Sequence, residues 1–270
     1  KGDKVTICMP NSPQALIMFY AINKVGAISN MVHPLSAEKE IEFCLRESGS
    51  VVCITLDQFY GKFKNIRESY QLRSLIITSV KDELSQVKKK GYYLTEGRKI
   101  AKVPVNADII WWEKFLAAGR AYKGPYSAVR KGEDPATILY SGGTTGTMKG
   151  ILLSNLNFNA LAAQIVATNP MFKPGDKMLA VMPIFHGFGL GVCIHSMLAN
   201  GGRCLLIPRF NPESYAKLLK KHKPNFIAGV PTLYEALLRL KTLKYADMSY
   251  LKGMFSGGDS LSIELKKKLD

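Results

Sequence analysis

The residues with the clearest capacity for chemistry form one glycine-rich stretch, residues 140–150, with the sequence Tyr-Ser-Gly-Gly-Thr-Thr-Gly-Thr-Met-Lys-Gly. It contains four glycines, four Ser or Thr side chains, one lysine and no acidic residue. Glycine permits positive φ angles and close approach to a ligand, and successive N–H groups in such a turn form a concave anion site. Hydroxyl groups and a lysine add charge-assisted hydrogen bonds. Because packing alone does not require this combination, the stretch predicts a phosphate-binding loop.

Short apolar runs at 136–139 and 151–153 flank the loop and predict a strand–loop–strand unit. The Walker A pattern requires a second glycine five positions after the first, where this chain has Thr147 or Met148. The dinucleotide pattern G-x-G-x-x-G is absent, and both of those loops lead into a helix. An ordinary glycine-rich hairpin is the alternative, but a hairpin does not need a concentration of hydroxyls and a lysine.

The stretch resembles the phosphate-binding signature of the adenylate-forming enzymes, roughly Y-[ST]-S-G-[ST]-T-G-x-P-K-G. That superfamily includes acyl- and aryl-CoA synthetases, luciferases and peptide-synthetase adenylation domains. The chain departs at Gly142, where Ser is usual and a hydroxyl is lost, and at Met148, where Pro is usual and rigidity is lost. The resemblance implies catalytic roles for Lys149 and Thr144 and a magnesium contact for Thr144. It also implies a set of ATP-binding residues: Ser141, Gly142, Gly143, Thr144, Thr145, Gly146 and Lys149.

A histidine provides a second candidate, because His186 follows a predicted strand and is flanked by Gly187 and Gly189. Open α/β sheets bind ligands at the carboxyl ends of their strands. A core histidine is the alternative. Residues 183–189 resemble the family element P-x-F-H-x-x-G, which implies that His186 orients the substrate carboxylate for attack on the α-phosphate of ATP and that Phe188 contacts the substrate.

Residues 256–261, Ser-Gly-Gly-Asp-Ser-Leu, form a strand end followed by paired glycines. They resemble the family element S-G-G-x-P-L, with Ser260 in place of proline, which implies that Gly257, Gly258 and Asp259 lie against the nucleotide. Residues 230–234 resemble the segment that lines the acyl pocket, so Val230 and Tyr234 are expected to contact the substrate. As residues at the start of a helix, both could equally belong to the core.

The net charge of +16 raises the possibility of a surface for nucleic acid or anionic membranes. The charge is spread evenly, however, with 21 basic and 14 acidic residues in 1–135 and 16 and 7 in 136–270. We interpret it as a source of solubility and as a mild attraction for anionic substrates such as ATP and CoA. A nucleic-acid partner is not expected, while a transient contact with a membrane surface is compatible with this charge.

Five widely spaced cysteines without a C-x-x-C pair indicate reduced thiols and a cytoplasmic location rather than disulfides or zinc. The sequence begins with Lys1 and not with Met, so we expect that residues upstream of it are missing, and no signal peptide is recognised at its start. The apolar stretch 187–199 is too short to cross a bilayer.

Alternating strand-like and helix-like segments predict an α/β fold with mainly parallel sheets flanked by helices. Within this fold, Ser36 is expected to cap a helix that Gly49 ends, residues 109–116 are expected to form a helix whose tryptophans serve the core, and another helix is expected to follow residues 183–189. The resemblance covers nearly the whole chain and implies the large N-terminal domain of an adenylate-forming enzyme, truncated. Residues 1–134 are expected to form its first α/β subdomain, and residues 135–270 a second subdomain that carries the phosphate loop. The family's later elements, including its small C-terminal domain, do not follow in this sequence, so the 270 residues alone are expected to be inactive.

These elements together imply ATP-dependent activation of a carboxylic acid, a fatty acid by preference, to an acyl-adenylate. Transfer to CoA would follow, with Mg²⁺ accompanying ATP. The alternative is a non-catalytic protein that binds through a degenerate nucleotide site or through its basic surface.

Overall fold

The structure is a computed structural model that describes residues 1–95, 97–105, 108–142 and 148–269, with the backbone alone at residue 93. The chain forms two compact units, residues 1–155 and 156–270. Each unit is built on its own sheet with helices packed against it, so the predicted α/β class is confirmed.

The first unit contains a seven-stranded sheet in the order β5-β4-β3-β1-β2-β6-β7. Strands β1 to β6 run parallel, and β7 pairs antiparallel with β6. The central strands are largely buried, as is usual for parallel strands, and their buried polar residues are hydrogen-bonded: the Asn30 amide donates to the Thr6 hydroxyl at 2.8 Å. The strands are β1 (Lys4–Cys8), β2 (Ile28–Met31), β3 (Ser50–Leu56), β4 (Ser74–Thr78), β5 (Ile109–Trp111), β6 (Pro135–Ser141) and β7 (Lys149–Ser154).

The described residues of this unit form five α-helices beside the sheet. Ser12 caps the first, since its hydroxyl accepts a hydrogen bond from the Ala15 N–H at 3.3 Å, and Pro13 occupies the first helical position. Gly49, at φ 63°, ends the second helix as predicted. The helices are α1 (Pro13–Lys24), α2 (Glu38–Ser48), α3 (Tyr60–Ser69), α4 (Gln86–Leu94) and α5 (Trp112–Ala121).

Two local expectations are wrong. Ser36 is not the cap of α2; Ala37 holds that position, and its N–H donates to the Glu40 carboxylate at 3.2 Å. The segment around the tryptophans is not helical throughout, because residues 109–111 form the edge strand β5 beside β4. Trp112 then begins α5 and is 3% exposed, which agrees with the expectation that the tryptophans serve the core.

The second unit contains a four-stranded, fully parallel sheet in the order β11-β10-β8-β9. Its strands are β8 (Lys177–Ala180), β9 (Arg203–Leu206), β10 (Phe226–Gly229) and β11 (Gly253–Ser256). The helix predicted after residue 183 begins as a π-helix, Phe188–His195. The α-helices are α6 (Asn155–Ala167), which begins at the last residue of the first unit, α7 (Ser196–Ala199), α8 (Pro212–His222), α9 (Pro231–Leu238) and α10 (Ile263–Leu269).

The division between the units falls after residue 155, whereas the sequence placed a subdomain boundary at 134/135. The difference arises because β6 pairs with β2 and so extends the first sheet, taking β7 with it. Assignment of the two halves to subdomains of one AMP-binding domain stays a prediction.

No helix among the described residues is both long enough and apolar enough to cross a membrane.

Candidate functional site

The phosphate-binding loop predicted from the sequence is held by the β6–β7 hairpin. In the register of this hairpin Ser141 lies opposite Lys149, and Tyr140 lies opposite Gly150. Ser141 is half-buried and Lys149 is exposed, so a hydroxyl and an ammonium group stand across from each other where the loop begins and ends. The predicted nucleotide ligands Gly143, Thr144, Thr145 and Gly146 lie outside the described residues.

The two ends of the loop differ in the space that they leave for a side chain. A Cβ at Gly150 would lie 3.2 Å from Ile138 Cγ2 and 3.3 Å from the Tyr140 ring, so a side chain there would displace the ring. A Cβ at Gly142 would meet no described atom within 4 Å. The glycine that replaces the usual serine at 142 is therefore not imposed by the described surroundings.

One residue of α2, Cys44, contacts both ends of the loop, through its backbone carbonyl at one end and its thiol at the other. The Tyr140 hydroxyl donates to the Cys44 carbonyl oxygen at 3.0 Å, and the Cys44 thiol lies 3.6 Å from the Met148 sulfur. Tyr140 and Met148 also pack against the buried apolar cluster of the first unit. Burial raises the pKa of Cys44 to about 11, so its thiol stays protonated near neutral pH and contributes packing rather than nucleophilicity.

In the second unit, His186 follows the carboxyl end of β8 and is exposed. The ring Nδ1 accepts a hydrogen bond from the Phe188 N–H at 3.2 Å, and the backbone N–H of His186 donates to the Pro183 carbonyl at 3.0 Å. An Nδ1 that accepts leaves the proton of the neutral imidazole on Nε2. His186 therefore presents an Nε2–H donor, the group that a carboxylate would require.

The turn that presents His186 depends on Gly189. A Cβ at Gly189 would lie 2.0 Å from the Pro183 carbonyl oxygen and 2.5 Å from that of Met182. Only glycine lets the π-helix begin this close to the end of the strand, which accounts for the second glycine of the sequence element.

Three sequence-predicted elements meet at the carboxyl edge of the four-stranded sheet. The Phe188 ring lies against Gly257, since a Cβ there would be 3.2 Å from the ring. Gly258, at φ 82°, lies against Val230, whose Cγ1 would be 3.2 Å from a Cβ at that position. Val230 and Gly257 directly follow the paired strands β10 and β11, so the fold itself brings them together.

The remaining predicted residues differ in their surroundings. Asp259 is exposed, and its carboxylate accepts the Ser260 N–H at 2.7 Å, a bond that the proline usual at this position cannot donate. Tyr234 is 1% exposed and its hydroxyl donates to the Phe255 carbonyl at 2.5 Å. Burial raises the pKa of Tyr234. These contacts favour the core alternative for Tyr234 over direct contact with a substrate.

Similarity to known proteins identifies the family to which the chain belongs. The model of the AMP-binding enzyme family matches residues 1–270, the whole chain. The chain belongs to the AMP-binding enzyme family. A long-chain-fatty-acid–CoA ligase of Bacillus subtilis (strain 168) is 32% identical over 272 residues, covering 100% of this chain and 49% of that protein. The chain thus spans about half the length of the curated relatives that it matches.

Solved structures of this family agree with the fold. A long-chain-fatty-acid-CoA ligase from Archaeoglobus fulgidus, 25% identical, superposes with a TM-score of 0.78 over 100% of this chain and 48% of that one. An anthranilate CoA ligase in complex with anthranoyl-AMP, 22% identical, gives a TM-score of 0.82 over 99% of this chain and 47% of that one. The expected architecture, the N-terminal domain of an adenylate-forming enzyme, is confirmed by these similarities.

The support from α2 is the part of the site that sequence reasoning missed. Cys44 lies 104 positions before Met148, and nothing in its own surroundings in the sequence marks it. The π-helix after His186 was missed as well, because its apolar composition is equally typical of a buried α-helix.

Proposed function

We propose that the protein containing this chain is an acid–thiol ligase that activates a carboxylic acid with ATP and transfers the acyl group to CoA. The observation that carries the proposal is Ser141 placed opposite Lys149 at the two ends of a glycine-rich loop. Membership of the AMP-binding family supports the use of a nucleotide, and the curated relatives named as CoA ligases support the second step.

The first step joins two anions. A carboxylate oxygen attacks the α-phosphorus of ATP, the bond to the bridging oxygen breaks, and acyl-adenylate and pyrophosphate form. The phosphates would be bound by the Lys149 ammonium group, by the Ser141 hydroxyl and by the hydroxyls and amides of residues 142–147. Mg²⁺ would be bound to ATP and contacted by Thr144. One such preorganised donor is worth about 2.7–4 kcal/mol of barrier lowering. In the second step the CoA sulfur attacks the acyl carbon and AMP leaves.

His186 would bind the acid. Its Nε2–H is the donor left over once Nδ1 accepts from the Phe188 N–H, so a carboxylate oxygen can be held without a change of tautomer. The backbone at Gly257 and Gly258 would lie against the nucleotide, and the half-buried Val230 and Phe188 would contact the acid's apolar part. Tyr234 would support this surface from the core.

We assign the substrate to the fatty acids, since several relatives carry the name long-chain-fatty-acid–CoA ligase. A second relative, 4-coumarate–CoA ligase 3 of Arabidopsis thaliana, is 27% identical over 100% of this chain and 44% of that protein, so aryl acids belong in the test. We also propose that the protein is cytoplasmic and makes transient contact with a membrane surface. All five cysteines are free thiols, which supports the cytoplasmic location.

The test is acid-dependent exchange of labelled pyrophosphate into ATP by the full-length protein, with short-, medium- and long-chain fatty acids and aryl acids assayed separately. Exchange with long-chain acids, followed by CoA-thioester formation, is the expected result. His186→Gln should reduce exchange by about 100-fold while ATP binding persists. ATP binding without exchange for any acid would overturn the proposal and favour a non-catalytic nucleotide-binding protein.

A further inference from the structure

Helix α4 exposes apolar side chains to solvent. Val87 is 83% exposed and Leu94 is 60% exposed. Positions seven apart lie on the same face of a helix, and Lys90, three residues after Val87, lies on that face between them. The outward face of α4 therefore combines two branched apolar side chains with an ammonium group.

The charge around this face is positive. Lys88, Lys89 and Lys90 are consecutive in α4, and no ion pair among the described residues involves any of them. The surrounding segment, residues 80–105, contains seven basic and three acidic residues. We call Val87, Lys88, Lys90 and Leu94 the α4 patch; Lys89 is half-buried and lies on the opposite side of the helix.

Another lysine-rich helix of the chain is built differently. Helix α8 carries exposed lysines at 217, 220 and 221, but its large apolar residues Tyr215 and Leu219 are buried. In α8 the lysines form the solvated face of a packed helix, which is the common arrangement. In α4 the lysines lie beside apolar side chains that are exposed to solvent. The solvation of a charged helix face does not explain why Val87 and Leu94 are exposed.

We propose that the α4 patch docks on an anionic lipid surface. Apolar side chains that enter the headgroup boundary, together with lysines that contact lipid phosphates, are the two contributions that hold a basic amphipathic helix at a membrane. A nine-residue helix is about 13 Å long, so the contact is shallow and reversible. A nucleic acid would attract the same lysines but gives no reason to expose Val87 and Leu94.

The inference deepens the proposed function and rests on it for the identity of the substrate. Long-chain acids partition into bilayers, so a ligase docked through α4 would meet its acid where that acid is concentrated. Docking itself requires no turnover and can be measured independently.

The experiment is co-sedimentation of the full-length protein with vesicles of phosphatidylcholine containing phosphatidylglycerol, and with vesicles of phosphatidylcholine alone. Binding to the anionic vesicles and little binding to the neutral ones is expected. The lysine variant K88Q/K90Q should weaken binding by on the order of 30-fold. The double variant V87S/L94S should weaken it by about tenfold.

The matched control is the α8 variant K217Q/K220Q, which removes the same charge from a helix whose large apolar side chains Tyr215 and Leu219 are buried. It should lose far less binding than the α4 lysine variant. Equal losses from the α4 and α8 lysine variants, or no loss from V87S/L94S, would overturn the proposal and leave only diffuse electrostatic adsorption. Circular dichroism of each variant checks that the fold is intact.

Two further measurements distinguish a failure of the proposed function from a failure of the docking proposal. Pyrophosphate exchange with a long-chain acid in the absence of vesicles reports the proposed chemistry alone, so absence of exchange in the wild-type protein would contradict the function and not the docking surface. Titration with duplex DNA completes the test. DNA binding that depends on Lys88 and Lys90, together with absent vesicle binding, would identify the patch as a nucleic-acid surface instead.

Discussion

The Cys44 thiol on α2 and the Met148 thioether at the end of the glycine-rich loop lie 3.6 Å apart, sulfur to sulfur. Met148 immediately precedes Lys149 and stands where the family signature has proline. Proline would restrict the backbone by fixing φ. In this chain the backbone at position 148 is restricted by packing instead, because the Met148 side chain contacts Cys44 of α2 and packs against the buried cluster of the first unit.

Met148→Ala should therefore raise the KM for ATP by about tenfold, since the loss of a partly buried thioether releases the backbone next to Lys149. Met148→Pro, which restores the family residue, should keep KM within about threefold of wild type. Both values come from pyrophosphate exchange at saturating acid. If alanine at 148 leaves KM for ATP and kcat unchanged, the Cys44–Met148 contact serves stability alone.

The Gly142→Ser variant tests the other departure from the signature. A Cβ at this position meets no described atom within 4 Å, so the serine enters without a steric cost from the described residues. An added hydroxyl beside bound phosphates should lower the Kd for ATP by about tenfold, as a hydrogen bond to a charged group does. Gly142→Ala adds the carbon without the hydroxyl and should leave Kd unchanged, as isothermal titration can show. Equal effects from both variants would assign the change to backbone stiffening.

The hairpin, the parallel order of most strands and the location of His186 could be predicted because each depends on local signals: apolar runs, glycines and a short motif. The support for the loop could not, since it depends on α2 packing against a segment about one hundred positions later in the chain. Strand β5 was missed for a related reason. Residues 109–111 form a strand because β4 offers them a free edge, and that edge exists only in the folded sheet.

Gly257→Ala should impair use of the acid. The new methyl group would lie 3.2–3.4 Å from the Phe188 ring, which must move, and Phe188 donates its N–H to His186. We expect kcat/KM for the acid to fall by about tenfold, in keeping with a small displacement of a positioning residue. The matched control is Gly61→Ala in α3, where a Cβ meets nothing within 4 Å among the described residues. It should keep full activity and stabilise the fold by up to about 1 kcal/mol.

The Lys252–Asp176 ion pair should contribute to the stability of the second unit. Lys252 Nζ lies 2.7 Å from Asp176 Oδ1, and the aspartate side chain is only 9% exposed. Lys252→Met would leave a carboxylate largely buried without its cation, and we expect a loss of about 2–3 kcal/mol of unfolding free energy. The double variant D176N/K252M should recover much of that loss, because no unpaired charge remains. Urea unfolding followed by circular dichroism gives both values; a single variant as stable as wild type would show that the pair contributes nothing.

His195 should make the second unit sensitive to acid. It lies in the π-helix, its Nε2 is 3.2 Å from the Asn159 side-chain oxygen, and its ring meets the Phe158 ring edge to face at 5.7 Å. Burial lowers the pKa of His195 in the folded state. As the pH falls below about 6.5, the histidine therefore becomes protonated more readily in the unfolded state than in the folded state. The stabilisation is therefore complete above about pH 6.5 and declines as the pH falls from there towards the lower pKa of the folded state.

The measurement is amide hydrogen exchange of peptides covering 188–199 at pH 7.5 and pH 5.5, corrected for the intrinsic effect of pH. Between pH 7.5 and pH 5.5 the free energy of opening should fall by about 1 kcal/mol more in the wild-type protein than in the His195→Gln variant, whose side chain does not titrate. His33, whose pKa burial also lowers, is present in both proteins and cancels in the comparison, as do the carboxylates. The same pH dependence in both proteins would mean that a group other than His195 controls the acid response of this segment.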